Sequence, residues 1–203
     1  MGNTDYKKDA KYYLTLASSM VDDLSNHAGI VMYEIGQKRA DIKDEIDAVG
    51  GKVFATAKGL VKGKVKYEIK KRKLKKEIDK EFQLILSILD KSDQLDPNAH
   101  LEGEDEDGTP KTISSNTIRA MAYYSAGRCY LAADKMKLAL EAFDKSHNYV
   151  PSQEALNGYA ITTKLQGGWG STSKILEAFE RVVEFNPYSE IGIEAAKQIA
   201  RMQ

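Results

Sequence analysis

Few side chains in this 203-residue chain have the types and spacing that chemistry requires. His27, His100 and His147 stand far apart, with no H-E-x-x-H run and no cysteine at ligand spacing, so a metal centre is not expected. The lone Cys129 lies in an apolar stretch and reads as a small buried hydrophobe, which fits a reducing compartment or simple indifference to redox. "GEDEDG", residues 103–108, has the look of a calcium loop. With Gly108 on that loop's glycine, however, the first and last acidic ligand positions fall on Gly103 and Ser114, and the reading is rejected. "GGWGSTSK", residues 167–174, resembles a phosphate cradle ahead of a helix but lacks G-x-x-x-x-G-K-[ST]; a lengthened helix–helix turn accounts for it. No catalytic set emerges, so the chain reads as non-enzymatic, with no cofactor and no small-molecule substrate.

Charge is the second place to look for chemistry. Thirty basic and thirty acidic side chains cancel, so no global field draws the chain to nucleic acid or membrane, and any such preference must be local. Locally, a basic helix is expected over 52–80, where eleven lysines and one arginine face three acids, a net +9. In an antiparallel hairpin folded at Gly50-Gly51, Lys52 to Lys66 lie opposite Glu34, Asp41, Asp44, Glu45 and Asp47, which answers much of that charge. "KKRKLKK", residues 70–76, lies opposite a neutral segment. Lys70, Lys71, Arg72, Lys73, Lys75 and Lys76 are therefore candidates for contact with an anionic membrane or nucleic acid, against the plainer reading of a solvated helix face. Gly51, Ala55, Gly59 and Gly63 form a small-residue ladder of the kind found between membrane helices, but lysines share its face, so a membrane-buried ridge is excluded. The N-terminus lacks the apolar run of a secretory signal, no window has the roughly 20 apolar residues of a membrane span, and Tyr6 stands where a myristoylated Gly2 would want Ser or Thr. A soluble, cytoplasmic protein, peripheral to a membrane at most, is the expectation.

These residues have to be positioned by helices. Before Pro97 the one strong breaker is Gly50-Gly51, and on either side apolar residues recur at spacings of three and four: Ala10, Tyr13, Ala17, Met20, Leu24 and Ala28 first, then Ile78, Phe82, Ile85 and Leu89. A long amphipathic helical hairpin over 1–95 follows, with helices of about 65 Å. "DPNAHLEGEDEDGTPKT" then combines prolines, glycines and acids, and an acidic mobile loop is expected over 96–113. From 114 to 203 helical periodicity resumes, with breaks at Pro151, residues 167–170 and Pro187, giving helices near 114–133, 135–148, 152–166, 172–185 and 189–202.

Pro151 and Pro187 close two segments of similar texture, "ALEAFDKSHNYVP" and "ILEAFERVVEFNP". With Ala120 counted first, Tyr123, Ala126, Gly127, Tyr130, Ala139, Phe143, Ser146 and Pro151 fall in register with a tetratricopeptide repeat (TPR), which this stretch resembles. Glu154 to Pro187 fits less fully, with Ile161 where glycine is expected, and the C-terminal segment resembles the solvating helix that closes such arrays. The resemblance implies an all-α fold: the N-terminal hairpin followed by a short TPR-like α-solenoid. Two repeats are few for a stable stack, so the hairpin is expected to pack on them. It further implies a scaffold or adaptor that binds a protein or peptide in a concave groove, lined by Tyr124, Arg128 and Leu131 in the first unit and Gly158, Thr162 and Leu165 in the second. The lysine and asparagine clamp of the chaperone-tail variety is not matched. A groove filled by the chain's own hairpin, and a homo-oligomer built through that hairpin, stand as alternatives.

Overall fold

The computed structural model describes residues 9–48, 53–104, 107–168 and 171–203; within α1 and α2, defined below, side chains are described at residues 10–27, 29, 30, 69, 72, 73 and 75–95. The described residues are mostly helical. α1 (Ala10–Ala48) and α2 (Val53–Leu95) are long, a two-stranded sheet of β1 (His100–Glu104) and β2 (Pro110–Ser114) follows, and α3 (Ser115–Ala132), α4 (Met136–Tyr149), α5 (Gln153–Gln166), α6 (Thr172–Phe185) and α7 (Glu190–Ala200) complete the chain. The five C-terminal helices start and stop within two residues of the bounds read from the sequence. The Gly50-Gly51 turn lies outside the described residues, and the face of the ladder from Gly51 to Gly63 and the charge pairing of Lys52 to Lys66 rest on side chains outside the described ones.

α2 buries the stripe read from its spacing, whereas in α1 Leu14 and Val21 are buried where the spacing singled out Tyr13 and Met20, which are only partly buried. Ala10, Leu14, Ala17, Val21 and Leu24 of α1 are buried against Ile78, Phe82, Ile85 and Leu89 of α2. Alternating steps of three and four keep both stripes on one seam, which suits helices crossing at a shallow angle. Ser92 continues the α2 stripe in a polar form, and its buried Oγ donates to the Ala10 carbonyl at 2.9 Å, so no polar group is stranded. His27 Nδ1 lies 3.7 Å from Glu81 Oε2, which together with the Ser92 bond makes the pair antiparallel.

α3 packs on both long helices. It offers small residues, Ala122, Ala126 and Cys129, to the core shared with α1, and the Cys129 thiol lies 4.0 Å from the Leu24 carbonyl. The proximal parts of the hairpin thus pack on α3, as expected. Polar ties fix α3 to α2: buried Arg119 donates through Nη1 to Asp93 Oδ2 at 2.7 Å and through Nη2 to Asp90 Oδ1 at 2.5 Å, and it also contacts Ser115 Oγ. Burial opposes the Arg119 charge, yet the two carboxylates outweigh it and the guanidinium is held above its ordinary value. At the other end of α3, Tyr130 Oη donates to Asp79 Oδ1 at 2.8 Å.

The segment over 96–113 corrects the sequence reading. Residues 100–104 and 110–114 form an antiparallel ladder from His100↔Ser114 to Glu104↔Pro110, with Leu101 opposite Ile113 as its apolar pair. Both of these side chains pack on the α1–α4 core. Gly108 takes a positive φ of 76°, the left-handed conformation that an Asp-Gly hairpin turn uses and that glycine adopts without strain. Proline is tolerated at position 110 because it begins a strand in a sheet of only two.

α4 follows α3 as an antiparallel partner, and α5, α6 and α7 each pack on the helix before them. Phe143 of α4 joins the two parts of this run. Its ring lies between α3 and α5, at places where a Cβ on Gly127 would come within 2.9 Å of it and one on Gly158 within 2.6 Å. Any side chain at either glycine would force the ring away. A second core of Leu156, Ala160, Ile175, Ala178, Phe179, Val182 and Ala195 holds α5, α6 and α7 together. α3, α5 and α7 each begin at a serine, Ser114, Ser152 or Ser189, whose side chain accepts from the backbone N–H three residues on. Ser189 also donates to Gln153 Oε1 at 2.6 Å, while Gln153 Nε2 donates to the Val182 and Asn186 carbonyls at 2.8 Å each, so one buried amide ties the start of α5 to the end of α6 and the cap of α7.

Candidate functional site

The six residues expected to line a groove separate into three environments. Tyr124 and Arg128 are half-buried on α3, with the guanidinium carbon 5.9 Å from the Tyr124 ring centroid. Burial raises the Tyr124 hydroxyl above its ordinary value; Arg128 works against that shift and Glu154, at the start of α5, works with it. Leu131 packs on the α1–α4 core. Gly158 is half-buried, and the place a side chain would take there is filled by the Phe143 ring. Thr162 is a correction: it is fully buried, and its hydroxyl donates to the Gly158 carbonyl at 2.7 Å, so it has nothing to offer a partner. A hydroxyl can stay in a helix core only by returning its proton to the helix backbone in this way. Leu165 is 60% exposed.

Leu165 belongs to a cleft of about 290 Å³ between α5 and α7, lined by Asn157, Ile161, Lys164, Leu165, Phe179, Glu194, Ala195 and Gln198. Phe179 and Ala195 are buried and make its floor, while Ile161 and Leu165, one turn apart on α5, stand exposed at its side. A polar chain forms one rim: Lys164 Nζ donates to Gln198 Oε1 at 2.6 Å, and Gln198 Nε2 donates to Glu194 Oε1 at 2.8 Å. The Gln198 bond, with help from Lys197 and Arg201, holds the Glu194 carboxyl below its usual range. The sequence reading missed Asn157, Lys164 and the α7 residues, because α7 was read as a solvating helix. The signal that could have found the cleft was Ile161 itself, a large residue in a slot where the repeat wants glycine. Gly127, 34 residues earlier, lies against the Phe143 ring, whereas Ile161 stands 39% exposed beside the opening.

A second cleft of about 390 Å³ lies among α4, α5 and α6, lined by Leu140, Tyr159, Thr163, Gln166, Lys174, Glu177, Ala178 and Arg181. Its lining mixes polar and apolar surface, and Arg181 lies 5.9 Å from the Tyr159 ring centroid.

Of the basic candidates, the side chains of Lys70 and Lys71 lie outside the described ones. Arg72, Lys73 and Lys76 are exposed, Lys73 sits 3.8 Å from Glu77, and Lys75 is engaged by Asp79. The structure does not bring this group together with the α5–α7 cleft; they occupy different helices with α3 and α4 between them in the packing order.

Among the described residues, no cluster of three or more His, Cys, Asp or Glu side chains is arranged to hold a metal ion. His100 Nδ1 lies 3.2 Å from the Asn98 carbonyl, and His147 Nδ1 accepts from the Ser152 N–H at 3.1 Å, the ring joining the end of α4 to the start of α5. Cys129 is buried, and desolvation pushes its thiol up to about 12, so it is not a nucleophile near neutrality. No helix among the described residues is long and apolar enough to cross a membrane. Comparison with protein-family models, with curated proteins and with solved structures gave no match.

Proposed function

We propose that this chain is a non-enzymatic adaptor of TPR type that captures a protein or peptide segment along α5 and α7. The observation that carries the reading is the exposed pair Ile161 and Leu165 beside a cleft whose floor, Phe179 and Ala195, is already fixed by the core. An apolar floor that does not have to form on binding lowers the ordering cost of association. The size of the cleft points the same way, since about 290 Å³ is at the bottom of the range for pockets that enclose a whole small molecule, about 300–1,000 Å³, and suits one anchoring side chain. Two successive helix pairs support the TPR assignment, with Phe143 and Phe179 buried at matching places on α4 and α6 and Ala126 and Ala160 on α3 and α5. The groove is accordingly shorter than the one drawn from the repeat alone: Leu165 stays in it, Ile161, Asn157 and Lys164 join it, and Gly158 and Thr162 leave it.

The test is selection of a displayed peptide library on the full chain, followed by a counter-screen with Ile161→Asp/Leu165→Asp. Peptides with an apolar anchor that bind the wild type and lose at least tenfold in affinity on the variant are the expected result. If selected peptides bind both proteins alike, or none is selected, the groove assignment is wrong. The buried thiol of Cys129 fits a reducing compartment, and we propose a cytoplasmic location.

A further inference from the structure

The outward face of α2 carries a second surface, independent of the α5–α7 cleft. At about 100° per residue, Ile69, Arg72, Lys73, Lys76, Lys80, Gln83 and Leu84 fall within an arc of about 120°, and the buried Ile78, Phe82, Ile85 and Leu89 lie opposite. All seven are exposed, Ile69 by 60% and Leu84 by 47%. Their span along the helix is about 23 Å. Lys73 has Glu77 as an exposed neighbour, but Arg72, Lys76 and Lys80 form no salt bridge with any described residue. Two aliphatic side chains therefore bracket a row of cations, three of them without a salt bridge among the described residues, on a helix whose other side is locked into the core from Ile78 onward.

We propose that this face is an attachment surface for an anionic lipid membrane, with Arg72, Lys76 and Lys80 drawn to the headgroups and Ile69 and Leu84 entering the acyl boundary. An amphipathic contact of this kind needs cations together with aliphatic side chains, and the arc supplies both. Single-stranded nucleic acid favours aromatic platforms for its bases, and the arc from Ile69 to Leu84 contains none. Ile78, Phe82, Ile85 and Leu89 hold α2 in place beneath Lys80 and Leu84, and the helix runs on through Ile69, so the contact draws on a helix that the fold already supplies.

The experiment is co-sedimentation of the full chain with phosphatidylcholine vesicles, with and without phosphatidylserine. The wild type should bind only the phosphatidylserine vesicles and should be released in about 1 M salt, where the screening length falls to about 3 Å. Arg72→Gln/Lys76→Gln/Lys80→Gln should lower the partition coefficient about 100-fold, from roughly fivefold per cation near such a surface. Ile69→Ser/Leu84→Ser should lower it about tenfold while leaving its salt dependence unchanged. Lys111→Gln/Lys174→Gln/Lys197→Gln, a control with the same change in net charge on β2, α6 and α7, should bind as the wild type does, and circular dichroism should be the same for all four proteins. The proposal is overturned if the wild type ignores phosphatidylserine or if the control variant loses as much as the α2 variant. It is also overturned if short DNA binds through the same three cations while vesicles stay unbound.

Discussion

α3 and α5 occupy the same place in successive helix pairs, yet one is enclosed and the other is left open. Eleven of the 18 residues of α3 are buried against five of the 14 of α5. Residues 34 apart show where the difference arises. Ala126 and Ala160 are both fully buried, so the face each helix turns to its own partner is alike. Tyr130 is buried and bonded to Asp79 of α2, whereas Lys164 is exposed and reaches Gln198; Leu131 packs on the α1–α4 core, whereas Leu165 stands in solvent. What separates the two helices is cover. α3 has α1 and α2 against it, and α5 has the shorter α7 in their stead. A repeated pattern therefore encodes the pairing of its own two helices, and whether its remaining faces bind something depends on what the rest of the chain lays over them.

The sharpest way to break that contrast is to remove the ring both helices share. Phe143→Ala should cost about 3–5 kcal/mol in denaturant unfolding, because the cavity opens between α3 and α5 at once. A loss confined to 1 kcal/mol would mean that the two parts stand without it. Matched substitutions come next. Leu131→Asp should destabilise by about 2 kcal/mol or more, since a carboxylate replaces a side chain packed on the core. Arg119→Met should cost about 2 kcal/mol through its lost charge-assisted bonds, a figure kept modest because Asp90 is solvated and can stand alone.

A titration sharpens the same comparison. The Cys129 thiol rises from an ordinary 9.0 to about 12 in the fold, so above pH 9.0 the unfolded chain ionises first and is favoured. The stability tied to the neutral thiol is intact below pH 9.0 and drains away toward pH 12, by up to about 1.4 kcal/mol per unit. Urea midpoints for the wild type and Cys129→Ala across that range should converge or cross as pH rises; parallel curves would remove the thiol from the account. The smallest effect is expected at Leu165→Asp, within about 0.5 kcal/mol of the wild type, because the side chain is already in water. Melting temperatures for the Leu131 and Leu165 variants, measured together, test cover as the cause.

The helices were legible because their apolar spacing is unbroken and their ends carry serine, proline and glycine signals; α6, for example, has the bounds read from the sequence. The β-hairpin was not, since its strands present one apolar pair, Leu101 and Ile113, amid acids, and the Asp-Gly at its turn was outweighed by composition. Thr162 was misplaced for a related reason. The repeat frame fixes which way a residue points from its helix but says nothing of what lies there, and a threonine fits an interior once its hydroxyl can bond its own backbone. Gly158 lost its place in the groove to a contact across the pair boundary, with Phe143, that no single repeat contains.

The approach of Cys129 to the Leu24 carbonyl joins residues 105 apart in the chain, whereas α5, α6 and α7 each meet the helix just before them. Contacts of such unequal reach form at unequal times. At about 5–20 residues per second, roughly 5–20 s of synthesis separate Leu24 from Cys129. Until Cys129 is made the stripe of α1 lacks its contact with α3, and α2, completed first, is the one partner it can meet. The C-terminal helices need no such wait, so folding proceeds with a slow first step and a rapid finish.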